Sequence, residues 1–190
     1  MILWTTAQVG CSVFSNHGEN QMLRAIVLMA PVLLLVGCET TRTCDVKAIP
    51  FESPELTRYS GKTVYLNLVD DRTPPDPKHN PAQAIFDTLR NANSKVNWVR
   101  APAAPGMGES FLVLKTLKFR SIFVVAKSGI WNGEVQLAGE LRQKVGEPRQ
   151  FTIHKVVSFP NEFGYTTADD ALMTAFRQAM IDLVDEIDRR

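Results

Sequence analysis

The sequence predicts an α+β domain of two layers, a mostly antiparallel sheet with its helices on one face. Three observations carry that prediction. Strand-like alternation runs through consecutive segments from Phe111 to Phe159, a long amphipathic helix closes the chain after Thr167, and one helical segment, Ala82 to Ala92, interrupts the strands before them. The expected order over residues 61–190 is β-α-β-β-β-β-α. A chain of 190 residues, 45% apolar and 22% charged, suits one such domain with polar extensions. The formal net charge of +1 argues against a protein held to nucleic acid by counterion release, which needs a basic face.

Each element has a local reason. Lys62 to Asp71 reads as the first strand because Val64, Leu66 and Leu68 alternate onto one face. Arg72 to Asn80 is a loop broken by Pro74, Pro75 and Pro77. Asn80 and Pro81 supply an N-cap and a proline at the first helical position, and Ile85, Phe86 and Leu89 follow at helical spacing. Val96 to Val99 is a short strand, and Ala101 to Gly108 a proline-containing loop. Phe111–Lys127 and Gly133–Lys144 read as an antiparallel pair joined at Ser128–Asn132. The apolar parity of the first slips near Ser121, which predicts a bulge or a bend. Gly146-Glu-Pro148 turns the chain into Arg149–Phe159, where Phe151, Ile153 and Val157 are in phase. Thr167-Ala-Asp-Asp170 reads as a capping-box variant, and Leu172, Phe176, Ala179, Leu183 and Ile187 form one apolar stripe.

The N-terminal part carries an address. Arg24 is followed by an uninterrupted apolar run, Ala25 to Val36, and then by Gly37-Cys38. A spanning helix needs about 20 apolar residues, so this run is too short; with its single preceding charge it reads as a signal peptide over 22–37. The boundary Leu35-Val36-Gly37-Cys38 resembles the lipobox of bacterial lipoproteins. That resemblance implies cleavage between Gly37 and Cys38 and acylation, with fatty acids such as palmitate, at Cys38. Because one acyl chain anchors reversibly and two or three anchor stably, the expectation is a domain tethered to membrane through Cys38. Glu39, rather than Asp, after the cysteine is compatible with onward transport to the outer membrane of a Gram-negative bacterium. Residues 1–21 precede a complete signal peptide and are read as an upstream extension ahead of a true start at Met22. Residues 38–60, mixed and polar with Pro50 and Pro54, read as the lipidated cysteine and a tether; a coil of that length spans about 25 Å. Cys44 is left as a single thiol with no His beside it and only the acid Asp45, whose charge disfavours a thiolate; it is expected to be inert, the alternative being an intermolecular bridge.

Catalytic signatures are sparse. Asp70-Asp71-Arg72 is the densest charge cluster of the domain, with His79 in the loop that follows and His154 in mid-strand. No spacing of His, Cys or acidic residues suits a zinc site, and no glycine-rich phosphate loop or nucleophile motif is present. No catalytic residue, metal or cofactor is therefore expected, and the cluster reads as a structural turn. Lys115, Lys118, Arg120 and Lys127 share one strand and read as edge protection. Ile130 and Trp131 fall at a predicted hairpin tip, where large apolar residues are unusual; they are candidate partner contacts unless the pair folds back onto the core.

The lipobox, the opening strand that ends in Asp70-Asp71-Arg72, and the closing helix entered through Thr166-Thr-Ala-Asp-Asp-Ala-Leu172 together resemble the small YajG-like lipoproteins. The resemblance extends over residues 22–190 and implies no enzymatic activity. The leading expectation is a non-enzymatic, periplasm-facing binding or accessory subunit of an outer-membrane assembly, with an envelope protein or lipid as partner and no nucleic acid. An auxiliary lipoprotein of lipid or lipopolysaccharide transport is the alternative, which requires an apolar tunnel between sheet and helices. A glycan or peptidoglycan hydrolase would need a concave site joining Asp70 and Glu140.

Overall fold

Alternating side chains pair β4 (Ser110–Val124), β5 (Ile130–Arg142) and β6 (Arg149–Pro160) into an antiparallel meander. On the other edge of β4 lies β2 (Thr63–Asp70), parallel to it, and outside β2 lies β3 (Asn97–Arg100), again parallel. The sheet order is β3-β2-β4-β5-β6. A parallel neighbour cannot be reached by a hairpin, and α1 (Ala82–Ala92) makes the crossover from β2 to β3. The chain closes with α2 (Tyr165–Asp188). These coordinates, a computed structural model, describe residues 40–50, 56–103, 106, 109–125, 129–144 and 146–189. The proposed extension 1–21, the signal peptide and Gly37-Cys38 lie outside the described residues.

The predicted fold class is observed, with β2 a parallel rather than antiparallel neighbour of both strands beside it. Both helices cover one face. Ile85 and Leu89 of α1 share a core with Val64, Leu66, Leu112, Leu114, Val135 and Leu137 of the sheet. All five residues of the predicted α2 stripe are fully buried in that core. The helix starts two residues before the predicted capping box, after Gly164 at φ 61°. Thr167 instead uses its hydroxyl oxygen to accept the Phe163 backbone N–H at 3.1 Å.

Two glycines of β5 set how closely the layers approach. At Gly133 a Cβ would overlap the backbone of Ala171 and Leu172, so α2 lies directly on the strand there. At Gly139 the missing side chain makes room for the ring of Phe151, its partner across the β5–β6 pair. The parity slip in β4 is a bulge at Leu117: Thr116 pairs Leu137 while Lys118 already pairs Gln136. It lies four positions before Ser121, because the bulged residue is itself apolar and hides the change of face.

The segment read as tether departs from that expectation. Thr40–Arg42 forms β1, antiparallel to Ser121–Phe123 on the same edge of β4 that receives β2. Cys44, Val46 and Ile49 pack against the core, and Leu56 and Tyr59 are buried in it. The Ile49 N–H donates to Thr88 Oγ1 and the Leu56 N–H to Asn93 Oδ1. Side chains too widely spaced to show a period therefore lay this stretch against the domain.

Candidate functional site: a cleft between β1 and β2

β4 is longer than either strand on its outer edge. β2 stops opposite Thr116 and β1 stops opposite Ser121, so Leu117–Arg120 faces a gap between them. The gap is a cleft of about 640 Å³ with Thr41 and Thr43 on one side, the Asp71–Asp76 loop on the other and Leu117–Arg120 as its floor.

Arg72 organises the loop. Its guanidinium, with 6% of the side chain exposed, donates from Nε and Nη2 to the two Asp70 carboxylate oxygens, each at 2.6 Å. Nη2 also reaches the carbonyls of Asp76 at 2.8 Å and His79 at 3.1 Å, and the buried Nη1 has no protein partner. The Asp70-Asp71-Arg72 cluster is thus a bracket that holds the proline-broken loop, as a planar guanidinium with several donors is suited to do. Asp76 ties this wall to the other: its Oδ2 accepts from the Thr43 hydroxyl at 2.7 Å and lies 2.8 Å from His79 Nδ1. Burial pushes the Asp76 carboxyl up, but the hydrogen bonds from Thr43 and His79 and the His79 charge outweigh it and bring the carboxyl down to about 2. The Arg72 hydrogen bonds likewise hold Asp70 below the usual carboxylate range.

The floor continues into a charge network on the open face. Glu134 accepts from Lys118 at 2.8 Å and Arg120 at 3.0 Å, and its Oε1 lies 2.9 Å from His154 Nε2. Burial raises the Glu134 carboxyl, yet these hydrogen bonds bring it below its ordinary value. Lys115 sits 3.7 Å from Asp71. Lys115 is therefore in mid-sheet, between β2 and β5, whereas Lys118 and Arg120 lie on the short stretch of β4 that no outer strand covers; all three are paired with acids, Asp71 and Glu134. Lys127 lies outside the described residues.

In chemical terms the cleft sets the Thr41 and Thr43 hydroxyls and the Lys118 and Arg120 side chains beside the Asp71 and Asp76 carboxylates over a partly apolar floor, a lining of mixed charge. Asp70 and Asp76 are both held ionised near neutrality, so neither is a proton donor there. Asp70 and Glu140 are not brought together: Asp70 continues the helix-side alternation of Leu66 and Leu68, whereas Glu140 lies on the open face, paired with Arg142. Among the described residues no group of three or more His, Cys, Asp or Glu side chains is placed to hold a metal ion, and no helix is long and apolar enough to cross a membrane.

The remaining sequence candidates fall elsewhere. β5 starts at Ile130, so Trp131 is a strand residue, 4% exposed, packed on Ala168 and Ala171 with the Phe123 ring centroid 5.0 Å away. Its Nε1–H donates to Asn161 Oδ1 at 3.0 Å. Trp131 thus takes the alternative the sequence left open, folding back onto the core, and offers no exposed ring to a partner; Ile130 is half-buried beside it. Burial pushes the Cys44 thiol up to about 12, with Asp169 adding to the effect, so the thiolate is scarce at neutral pH. The Thr43–Asp76 link and the role of Glu134 were missed in the sequence, which shows only a threonine, an aspartate and a glutamate among many.

No protein-family model matches the sequence, and no curated protein matches it significantly. Among solved structures the chain is similar to protein XCC0632 from Xanthomonas campestris, described by the DUF330 family model, at 14% identity and a TM-score of 0.45, covering 76% of this chain and 92% of that one. It is also similar to a minor lipoprotein from Acinetobacter baumannii, at 15% identity and a TM-score of 0.36 over 69% and 89%. A third likeness is to the PelC dodecamer from Paraburkholderia phytofirmans, at 14% identity and a TM-score of 0.41 over 75% and 96%. At such scores these likenesses carry no functional argument.

Proposed function

We propose that this protein is a lipid-anchored lipoprotein of the bacterial envelope, cut before Cys38 and acylated there. In this reading it is a non-enzymatic binding or accessory subunit of an outer-membrane assembly, faces the periplasm, and stands beside the YajG-like lipoproteins. One observation supports it most: the lipobox-like Leu35-Val36-Gly37-Cys38 ends two residues before Thr40, where the sheet takes up the chain. Cleavage before Cys38 therefore removes no residue of β1 or of the strands and helices that follow it.

The packing favours a binding subunit over a lipid carrier. A carrier needs an apolar tunnel between sheet and helices. Among the described residues that space is filled, with α2 backbone on Gly133 and Phe119 edge-on to Phe176 at 5.7 Å between centroids. The separation of Asp70 from Glu140 weighs against a hydrolase built on that pair. The test is Cys38→Ser, which cannot receive the thioether-linked diacylglyceryl group. Expected is an unprocessed or soluble species that takes up no palmitate label, with globomycin causing the wild-type precursor to accumulate. A Cys38→Ser chain that fractionates with membranes like the wild type overturns the proposal.

A further inference from the structure

Four large apolar side chains are strongly exposed among the described residues: Val125 at 58%, Val156 at 51%, Phe163 at 76% and Tyr165 at 58%. Val156 stands on the open face of the sheet, opposite Glu134 of β5. The other three gather at one end. Val124, Ile130 and Pro160 form the last rung of β4, β5 and β6, Val125 follows it, and Phe163 and Tyr165 lie on the step from β6 into α2. The Asn161 N–H donates to the Gly129 carbonyl at 2.7 Å and Asn161 Oδ1 receives the Trp131 N–H, so this step is fastened to the end of the meander. Tyr165 is held by the Arg42 guanidinium 4.6 Å above its ring, and Arg42 is paired with Asp169 at 3.0 Å.

β1 begins at this same end, Thr40 lying opposite Phe123, one residue from the last rung. Glu39 alone separates Thr40 from Cys38, so the chain between them reaches no more than about 7 Å. A lipid on Cys38 must hold this end, and no other, against the bilayer. Aromatic side chains with a polar tip favour the headgroup layer, and apolar ones the acyl boundary beneath it.

We propose that this end of the sheet is a membrane-seating face, with Val125 and Phe163 in the acyl boundary of the leaflet that holds Cys38 and Tyr165 among its headgroups. The proposal rests on the anchor reading above and deepens it: the protein is not a domain on a loose leash but one clamped at a fixed height and orientation. The cleft floor at Lys118 is five β4 residues from Phe123, which sets it about 15 Å above the seating face. The occupant is taken to be lipid and not a second copy of the chain because the anchor leaves no length for another domain to enter between.

The test uses the full chain, expressed so that it is processed, in vesicles of phosphatidylethanolamine and phosphatidylglycerol containing acyl-brominated lipid. Phe163→Trp places a reporter on the seating face and Val156→Trp one on the open face; Trp98 and Trp131 contribute equally to both. Expected is blue-shifted emission and strong bromine quenching for Phe163→Trp, and little of either for Val156→Trp. Equal quenching of the two variants overturns the seating face, as does an unquenched Phe163→Trp that cross-links to a second copy. Mass spectrometry of the N-terminal peptide from the same samples separates the two proposals. Lipid on Cys38 with equal quenching sinks the seating alone, no lipid with selective Phe163→Trp quenching supports seating and sinks the anchor, and failure of both readouts sinks both.

Discussion

The helix-covered face of the sheet and its β1–β2 edge are held by opposite means. Under α2 the contacts are apolar and close, down to helix backbone against Gly133, and the residues that make them recur every three or four positions. Along the edge the contacts are polar and single: Arg42 to Asp169, Thr43 to Asp76, Arg72 to Asp70 and two carbonyls. The first region tolerates no added volume or charge. The second is partly solvated, leaves an arginine nitrogen without a protein partner, and encloses the cleft. Rigid support lies on one side of β4 and binding chemistry along its edge, so a change on the face should cost the fold while a change on the edge should mainly alter its response to conditions.

The sharpest break of this comparison is Phe176→Asp. It places a carboxylate where the native ring is fully buried against Phe119, and the expected cost is at least about 4 kcal/mol, enough to unfold much of a domain whose total is about 5–15 kcal/mol. Gln178→Asp, exposed on the same helix, should stay within about 0.5 kcal/mol. Equal melting temperatures for the pair would refute the stripe. A smaller loss, about 1–3 kcal/mol, is expected for Gly133→Ala, since its methyl meets helix backbone that can yield only by moving α2. Gly139→Ala should cost less because the Phe151 ring can swing aside. Urea midpoints of the two variants test that ranking, and a costlier Gly139→Ala would contradict it.

The smallest effect belongs to the edge. The Asp76 carboxyl is about 2 in the fold against about 3.9 in an unfolded chain. Its ionised form therefore stabilises the native state above about pH 4, and that contribution is lost as pH falls from about 4 through about 2. Asp76→Asn should be slightly less stable than wild type near neutrality and show a shallower decline across that window, read from urea midpoints taken down the acid limb. A variant whose decline parallels wild type would detach Asp76 from the acid response.

The elements that repeat were legible. Ile85 and Leu89 of α1, the β5 alternation and the α2 stripe are each set by neighbours three, four or two residues away, and the structure keeps them within a few residues of the predicted bounds. The site was legible only as a charge cluster. Arg72 was visible, but that its partners include the carbonyls of Asp76 and His79, and that Thr43 would cross from β1 to meet Asp76, depends on chain segments the sequence separates by a loop or more. Trp131 was misplaced for a related reason: β5 begins at Ile130 rather than Gly133, and the extra residues turn an apparent tip into a strand whose ring faces α2.

What the sequence determined by itself was the strands and helices from β2 onward, their order, the apolar stripes of α1 and α2 and the lipobox-like boundary at Cys38, because each depends on short-range spacing along one chain. Only the tertiary structure decided that β2 runs parallel to β4, that Thr40–Arg42 leaves the expected tether to become β1, and that the two strands stop short of each other to open the cleft. Strand pairing joins backbone groups, which every residue carries alike. Which edge a strand joins therefore depends on contacts between segments far apart in the sequence, such as the Arg42–Asp169 ion pair, and these have no period to read.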